Sequence, residues 1–134
     1  MNHWLLKTEP ETYSWDTLVR EKEGVWDGVR NHQARQNLEK MKKGDLVFIY
    51  HTGNEKSIIG TAAITKGPFP ETGAEEWISV KLKPLKKLKT PVSLSTIKSD
   101  KRLSEISLVK MSRLSVQPLS KEEFDLILSH SEPF

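Results

Sequence analysis

Lys42-Lys43-Gly44-Asp45-Leu46-Val47-Phe48-Ile49-Tyr50-His51 sets a polar turn before a run, Leu46 to His51, that is apolar on both alternating faces. That pattern belongs to a strand in the middle of a sheet, covered on each side. A central strand needs neighbours. Upstream, His3 to Thr8 reads as a strand that ends at Glu9-Pro10-Glu11, because a residue before proline is pushed away from the helical region. Downstream, Thr52-Gly53-Asn54-Glu55-Lys56 reads as a hairpin loop leading to a second strand, Ile58 to Thr65, and Gly67-Pro68-Phe69-Pro70 opens an irregular loop. From Trp77 the chain alternates again, with Ile78, Val80 and Leu82 on one face and Trp77, Ser79, Lys81 and Lys83 on the other. Leu114 to Pro118 reads as a late strand stopped by proline.

Between these strands lie helix signals. Ser14 is an N-cap for a short helix through Leu18 and Val19, with Asp16 well placed near its positive end. Asn31 caps a helix through Ala34, Leu38 and Met41, and Val92 to Leu108 holds one or two helical turns with Ser93 and Ser95 as caps. Ser120-Lys121-Glu122-Glu123 has the capping-box pattern, and Phe124, Ile127 and Leu128 give the closing helix an apolar side. About five strands with intervening helices predict an α+β fold, a strongly bent sheet or open barrel with helices outside.

At 134 residues and 36% hydrophobic content the chain suits a single domain, 1–134, with one compact core. Cysteine is absent, which excludes disulfides, thiolate nucleophiles and cysteine-ligated zinc. No apolar stretch approaches membrane-spanning length and no signal peptide is legible, so a soluble, cytoplasmic protein without a membrane partner is expected. The net charge is only +3. Its distribution is more telling, since Lys81, Lys83, Lys86, Lys87 and Lys89 follow one another with no acid between them. Such a run is either a footprint for phosphates or a solvated strand edge that discourages aggregation.

The segment Gly24-Val25-Trp26-Asp27-Gly28-Val29-Arg30-Asn31-His32-Gln33-Ala34-Arg35 places an indole, an acid and an amide beside the start of a helix. Two glycines bracket Trp26 and Asp27 and permit positive φ there, so the segment reads as a loop. Trp26, and Trp77 on the basic strand face, can stack a flat ligand between them, and base–aromatic stacking contributes roughly 1–3 kcal/mol per base. The alternative is that both are core residues, as Trp4 and Trp15 are taken to be. Glu9 can accept from an exocyclic amine and Thr8 can donate to a ring oxygen, or Lys7-Thr8-Glu9 is an ordinary strand exit. Asn31 is a helix cap or a reader of base edges, and Asp27 accepts from a ligand amine or closes its own turn. Arg113, between Ser112 and Ser115, can hold a phosphate with hydroxyl help, and Arg30 and Arg35 can do the same from the edge of the Trp26 segment. His3, His32, His51 and His130 lack metal-ligand spacing, so no metal is assigned, and the absence of GxGxxG, Walker, GxSxG and HExxH patterns leaves no cofactor and no standard enzyme class.

Trp4-Leu5-Leu6-Lys7-Thr8-Glu9-Pro10, Tyr13-Ser14, Trp26 to Arg35, Lys43 to His51 and Ser112-Arg113-Leu114-Ser115-Val116, in that order, resemble the EVE domain. This is a member of the PUA-like superfamily related to the YTH readers of methylated adenine in RNA. The resemblance runs nearly end to end and implies a PUA-like pseudo-barrel of about five to six strands with helices packed around it. It also implies a pocket that takes a modified base flipped out of its strand, with no cofactor and with nucleic acid, RNA or DNA, as partner. By position, Trp26 and Trp77 resemble the cage tryptophans of the YTH domain. Lys7-Thr8-Glu9 falls where that domain has Lys-Ser-Asn, so Glu9 replaces a reading asparagine with an acceptor and suits a modified cytosine better than methyladenine. His32 stands where many EVE domains have tyrosine. The implied function is a non-enzymatic reader that stacks the base on Trp26 and Trp77 beside Asp27, Asn31 and His32 and holds phosphates with Arg30, Arg35, Arg113, Ser112, Ser115, Lys81 and Lys83. Two alternatives stand beside it: an RNA-binding accessory domain indifferent to modification, and an ASCH-like amidohydrolase acting on an acylated nucleoside with Thr8 as nucleophile and Lys7 as base.

Overall fold

A computed structural model describes residues 1–111 and 113–131. Leu46–His51 forms strand β3, flanked by β1 (His3–Thr8) and β4 (Ser57–Glu71). With β2 (Gly24–Trp26), β5 (Ala74–Ser93) and β6 (Val116–Leu119) the order across a six-stranded sheet is β2-β5-β4-β3-β1-β6. β1 runs parallel to β3, with His3 opposite Leu46 and Thr8 opposite His51, and the other pairings are antiparallel. β2 and β6 are the free ends of this order, so the expected pseudo-barrel is realised as an open mixed sheet not closed into a barrel.

Alternation along the central strands builds a core on each face. Trp4, Leu6, Val47 and Ile49 pack with Trp15 and Leu18 of α1 (Trp15–Glu21) and Ala34 and Leu38 of α2 (His32–Glu39). Leu5, Phe48 and Tyr50 pack on the other face with α3 (Leu94–Ser99), α4 (Ser107–Lys110) and α5 (Lys121–Ser131), through Ile97, Leu108, Phe124 and Ile127. The caps are local and as expected: the Ser14 side chain accepts from the Thr17 N–H, Asn31 from Ala34 and Ser93 from Thr96. Before α5, the Ser120 N–H donates to Glu123 Oε1 at 2.8 Å and the Glu123 N–H to Ser120 Oγ at 3.0 Å, which completes the capping box.

Two buried polar groups join distant segments. Asp45, 3% exposed, accepts from the Trp4 indole N–H and the Lys42 N–H at 3.0 Å each through Oδ2, and from the Asn2 N–H through Oδ1. His51 accepts the Trp15 backbone N–H on Nε2 at 3.0 Å and meets the Glu55 carboxylate through Nδ1. No helix among the described residues is long and apolar enough to cross a membrane.

Three stretches differ from the expectations. Gly67-Pro68-Phe69-Pro70 is not a loop but the outer part of β4, paired with β5 up to Glu71 opposite Ala74. The pairing shifts register at Lys66/Phe69 and Pro70/Glu71, and such irregularities accommodate residues that lack an N–H. The late strand starts at Val116 rather than Leu114 and runs through Pro118 to Leu119 instead of stopping at the proline. Finally, Gly24 to Trp26 is an edge strand, Trp26 lying opposite Val80, and only Gly28 of the bracketing pair has positive φ, at 75°. Gly24 is required for space: a Cβ there would sit 2.2 Å from the Tyr13 hydroxyl oxygen and 2.9 Å from Leu18 Cδ1.

Candidate functional site

Where β1 ends, β2 leaves the sheet and α2 begins, the chain encloses a cleft of about 740 Å³. Lys7, Thr8, Glu9, Trp26, Asp27 and Asn31 all line it, together with Thr12, Tyr13, Val25, Gly28, Val29, Arg30 and Ser115. The parallel pairing of β1 with β3 forces the chain to cross back over the sheet through α1, β2 and α2, and this crossover carries the Trp26 segment to the C-terminal end of β1.

Trp26 is 6% exposed and belongs to the first core, with the Tyr13 ring edge-on at 5.6 Å. The cleft therefore meets only a small part of the indole. Trp77 and His32 do not line the cleft; they stack on each other at 5.2 Å, with the Arg30 guanidinium 5.3 Å from the Trp77 ring centre. The expected two-sided tryptophan clamp is not formed. The alternation that sets Trp77 opposite Ile78, Val80 and Leu82 also separates it from Trp26, which pairs with Val80.

The polar groups divide into engaged and free. Thr8 Oγ1 donates to the Tyr13 carbonyl at 2.8 Å, so its proton is committed to the backbone. The Lys7 ammonium lies 5.7 Å from the Tyr50 ring centre, and burial pulls its pKa down. A nucleophilic Thr8 with Lys7 as base would need the Thr8 proton to turn away from the Tyr13 carbonyl. Asn31 Oδ1 accepts the Ala34 N–H at 2.9 Å as a cap, while Nδ2 makes no hydrogen bond among the described residues. The side-chain carboxylates of Glu9 and Asp27, both exposed, have no hydrogen-bond or ion-pair partner among the described residues. Asp27 does not close its own turn. Glu71 does so from the far end of β4, accepting the Gly28 N–H at 2.7 Å on Oε1 and gripping Arg30 through Nη1 at 3.1 Å and Nη2 at 2.6 Å. Those contacts, the Arg30 hydrogen bonds first, hold the Glu71 carboxyl below the usual range.

Tyr13 and Glu71 were not legible as site residues. Tyr13 Oη donates to Glu21 Oε1 at 2.6 Å, and burial followed by that carboxylate pushes its phenol pKa well up. The candidate phosphate ligands do not converge on one patch. Arg30 and Ser115 line the cleft, the Ser115 carbonyl accepting the Lys7 N–H at 2.8 Å, whereas Arg35 pairs with Glu39 at 3.4 Å. Lys81 is half-buried opposite Val25 and Lys66, Lys83 is exposed opposite Ala63, and Arg113 lies in a neighbouring groove. Ser112 lies outside the described residues.

The family model of the EVE domain matches residues 2–130. The chain belongs to the EVE domain family. Human thymocyte nuclear protein 1 is 32% identical to this EVE domain over 167 aligned positions, covering 98% of this chain and 74% of its own length. Among solved structures, Rpa0253 from Rhodopseudomonas palustris has 40% identity and a TM-score of 0.92, covering 98% of this chain and 93% of that one. The crystal structure of the human THYN1 protein in complex with 5-methylcytosine-containing DNA has 30% identity and a TM-score of 0.93, covering 100% of this EVE domain and 99% of that chain. An ASCH protein from Zymomonas mobilis, 14% identical with a TM-score of 0.61, shares the fold.

Proposed function

We propose that this EVE domain binds DNA at a modified cytosine, taking the base into the cleft between β1, the turn at 27–30 and α2. One observation carries the reading: the free acceptors Glu9 and Asp27 line the same cleft as the free donor Asn31 Nδ2. Cytosine presents an exocyclic amino donor beside ring acceptors, which is the complementary set. Val25, 43% exposed, and Val29 add apolar surface for a 5-methyl group. The human relative solved with 5-methylcytosine-containing DNA supports reading the modified base as 5-methylcytosine.

The test compares binding of duplexes carrying cytosine or 5-methylcytosine, by fluorescence anisotropy at fixed salt. Asn31→Asp retains a good N-cap but exchanges the donor for an acceptor, so the fold is kept while affinity for the methylated site falls roughly tenfold. Asp27→Asn lowers it in the same direction. Unchanged affinity in both variants would sink the assignment of the cleft. Equal binding of methylated DNA, plain DNA and plain RNA by the unmodified protein would mean recognition of shape alone.

A further inference from the structure

We propose that the groove beside the cleft is a second nucleotide subsite, which binds the neighbouring phosphodiester of the same strand on Arg113; the proposal rests on the cleft reading above. The groove, about 360 Å³, is lined by Asn31, Gln33, Lys110, Met111, Arg113 and Leu114. Asn31 lines both hollows, and the adjacent residues Leu114 and Ser115 line one each, so the two are neighbours. A strand that sends a base into the cleft has its next phosphate within reach of the groove.

Charge decides where that phosphate goes. The cleft sets the free carboxylates of Glu9 and Asp27 beside Lys7 and an Arg30 already held by Glu71, whereas the groove is lined by Lys110 and Arg113 with no acid among the described residues. Of the five arginines, Arg20 donates to Thr17, Arg30 to Glu71 and Arg102 to Asp100, and Arg35 pairs with Glu39. Arg113 alone has no partner among the described residues. Its guanidinium fork can take two phosphate oxygens without breaking any existing contact. Among the described residues Lys110 is paired only with Glu105, and that weak surface pair yields readily to a phosphate. Met111, 50% exposed, supplies apolar surface on which the attached sugar or base can rest.

The experiment measures binding of methylated and unmethylated DNA across a salt series for the unmodified protein, Arg113→Gln and, as a charge control on α1, Arg20→Gln. Binding of the free nucleoside 5-methyldeoxycytidine is measured for the same set. Loss of one phosphate contact in Arg113→Gln weakens both DNAs by a similar factor, roughly tenfold, and lowers the slope of log affinity against log salt by about one. The ratio between methylated and plain DNA, and the affinity for the nucleoside, stay as they were. Arg113→Gln indistinguishable from Arg20→Gln on both DNAs would overturn the subsite, as would an equal loss on the nucleoside. Absence of any methylcytosine preference in the unmodified protein overturns the cleft reading instead, and the loss on plain DNA still decides the groove.

Discussion

Glu71 receives its hydrogen bonds from Gly28 and Arg30, 43 and 41 positions away, and so ties the tip of the β4–β5 ribbon to the rim of the cleft. Its carboxyl is depressed in the folded protein, so this contribution to stability is complete above the ordinary glutamate range, about 4.3, and is lost as pH falls through the folded value. We expect a carbon-13 titration of Glu71 to show a midpoint below that of a glutamate peptide, and Arg30→Gln to move it upward; an unmoved midpoint would mean the pair does not hold the rim. Asp45 offers a second test. Asp45→Ala leaves the buried Trp4 indole N–H without its acceptor, and urea denaturation should register a loss of about 2–4 kcal/mol. Neither acid announces itself in the sequence, because both act on groups far away along the chain or through space. Asn31 and Ser14 did announce themselves, since a cap closes on an N–H three residues ahead and needs no tertiary context.

At the level of elements, helices with polar caps and the uniformly apolar β3 were readable because propensity, pattern and burial agree there. The β4–β5 ribbon was not. Pro68 and Pro70 argue against a strand when read locally, and only the shifted pairing with β5 shows how the chain accommodates them. Lys81 to Lys89 turned out to be part of the same long strand, with Lys83, Lys86, Lys87 and Lys89 exposed along it. Gly24→Ala tests how α1 and Tyr13 seat against β2. The added methyl collides with the Tyr13 hydroxyl and Leu18, so thermal and urea denaturation should both show destabilisation of about 1–3 kcal/mol. At the other end, Ser120→Ala removes half of a capping box and should cost about 1 kcal/mol, readable as a shift in the urea midpoint at constant slope.

For the molecule as a whole, the sequence reading expects one compact core, whereas the open sheet carries one on each face because its central strands are apolar on both sides. Cleft residues were legible in the conspicuous runs 7–9 and 26–31 and at Ser115; Tyr13 joins through tertiary packing, and the stacking of His32 on Trp77 is likewise a product of the three-dimensional chain path. The net charge is only +3 and the candidate phosphate ligands are spread over several surfaces, so few of the 21 lysines and arginines can meet one strand. Binding should therefore weaken with salt at a modest slope, roughly two to four in log–log terms, since each neutralised phosphate contributes about 0.9. Anisotropy titrations between low and moderate salt measure it, and a flat response would exclude a phosphate-contacting mode.

The imidazole at the end of β3 has one nitrogen receiving a main-chain proton from α1 and the other turned to the carboxylate of the β3–β4 loop. The neutral ring is thereby restricted to the tautomer protonated on Nδ1, with no lone pair left for a metal ion or for proton abstraction. His51 is in this sense a rivet between a helix and a hairpin, and exchanging it for phenylalanine would release both ends at once.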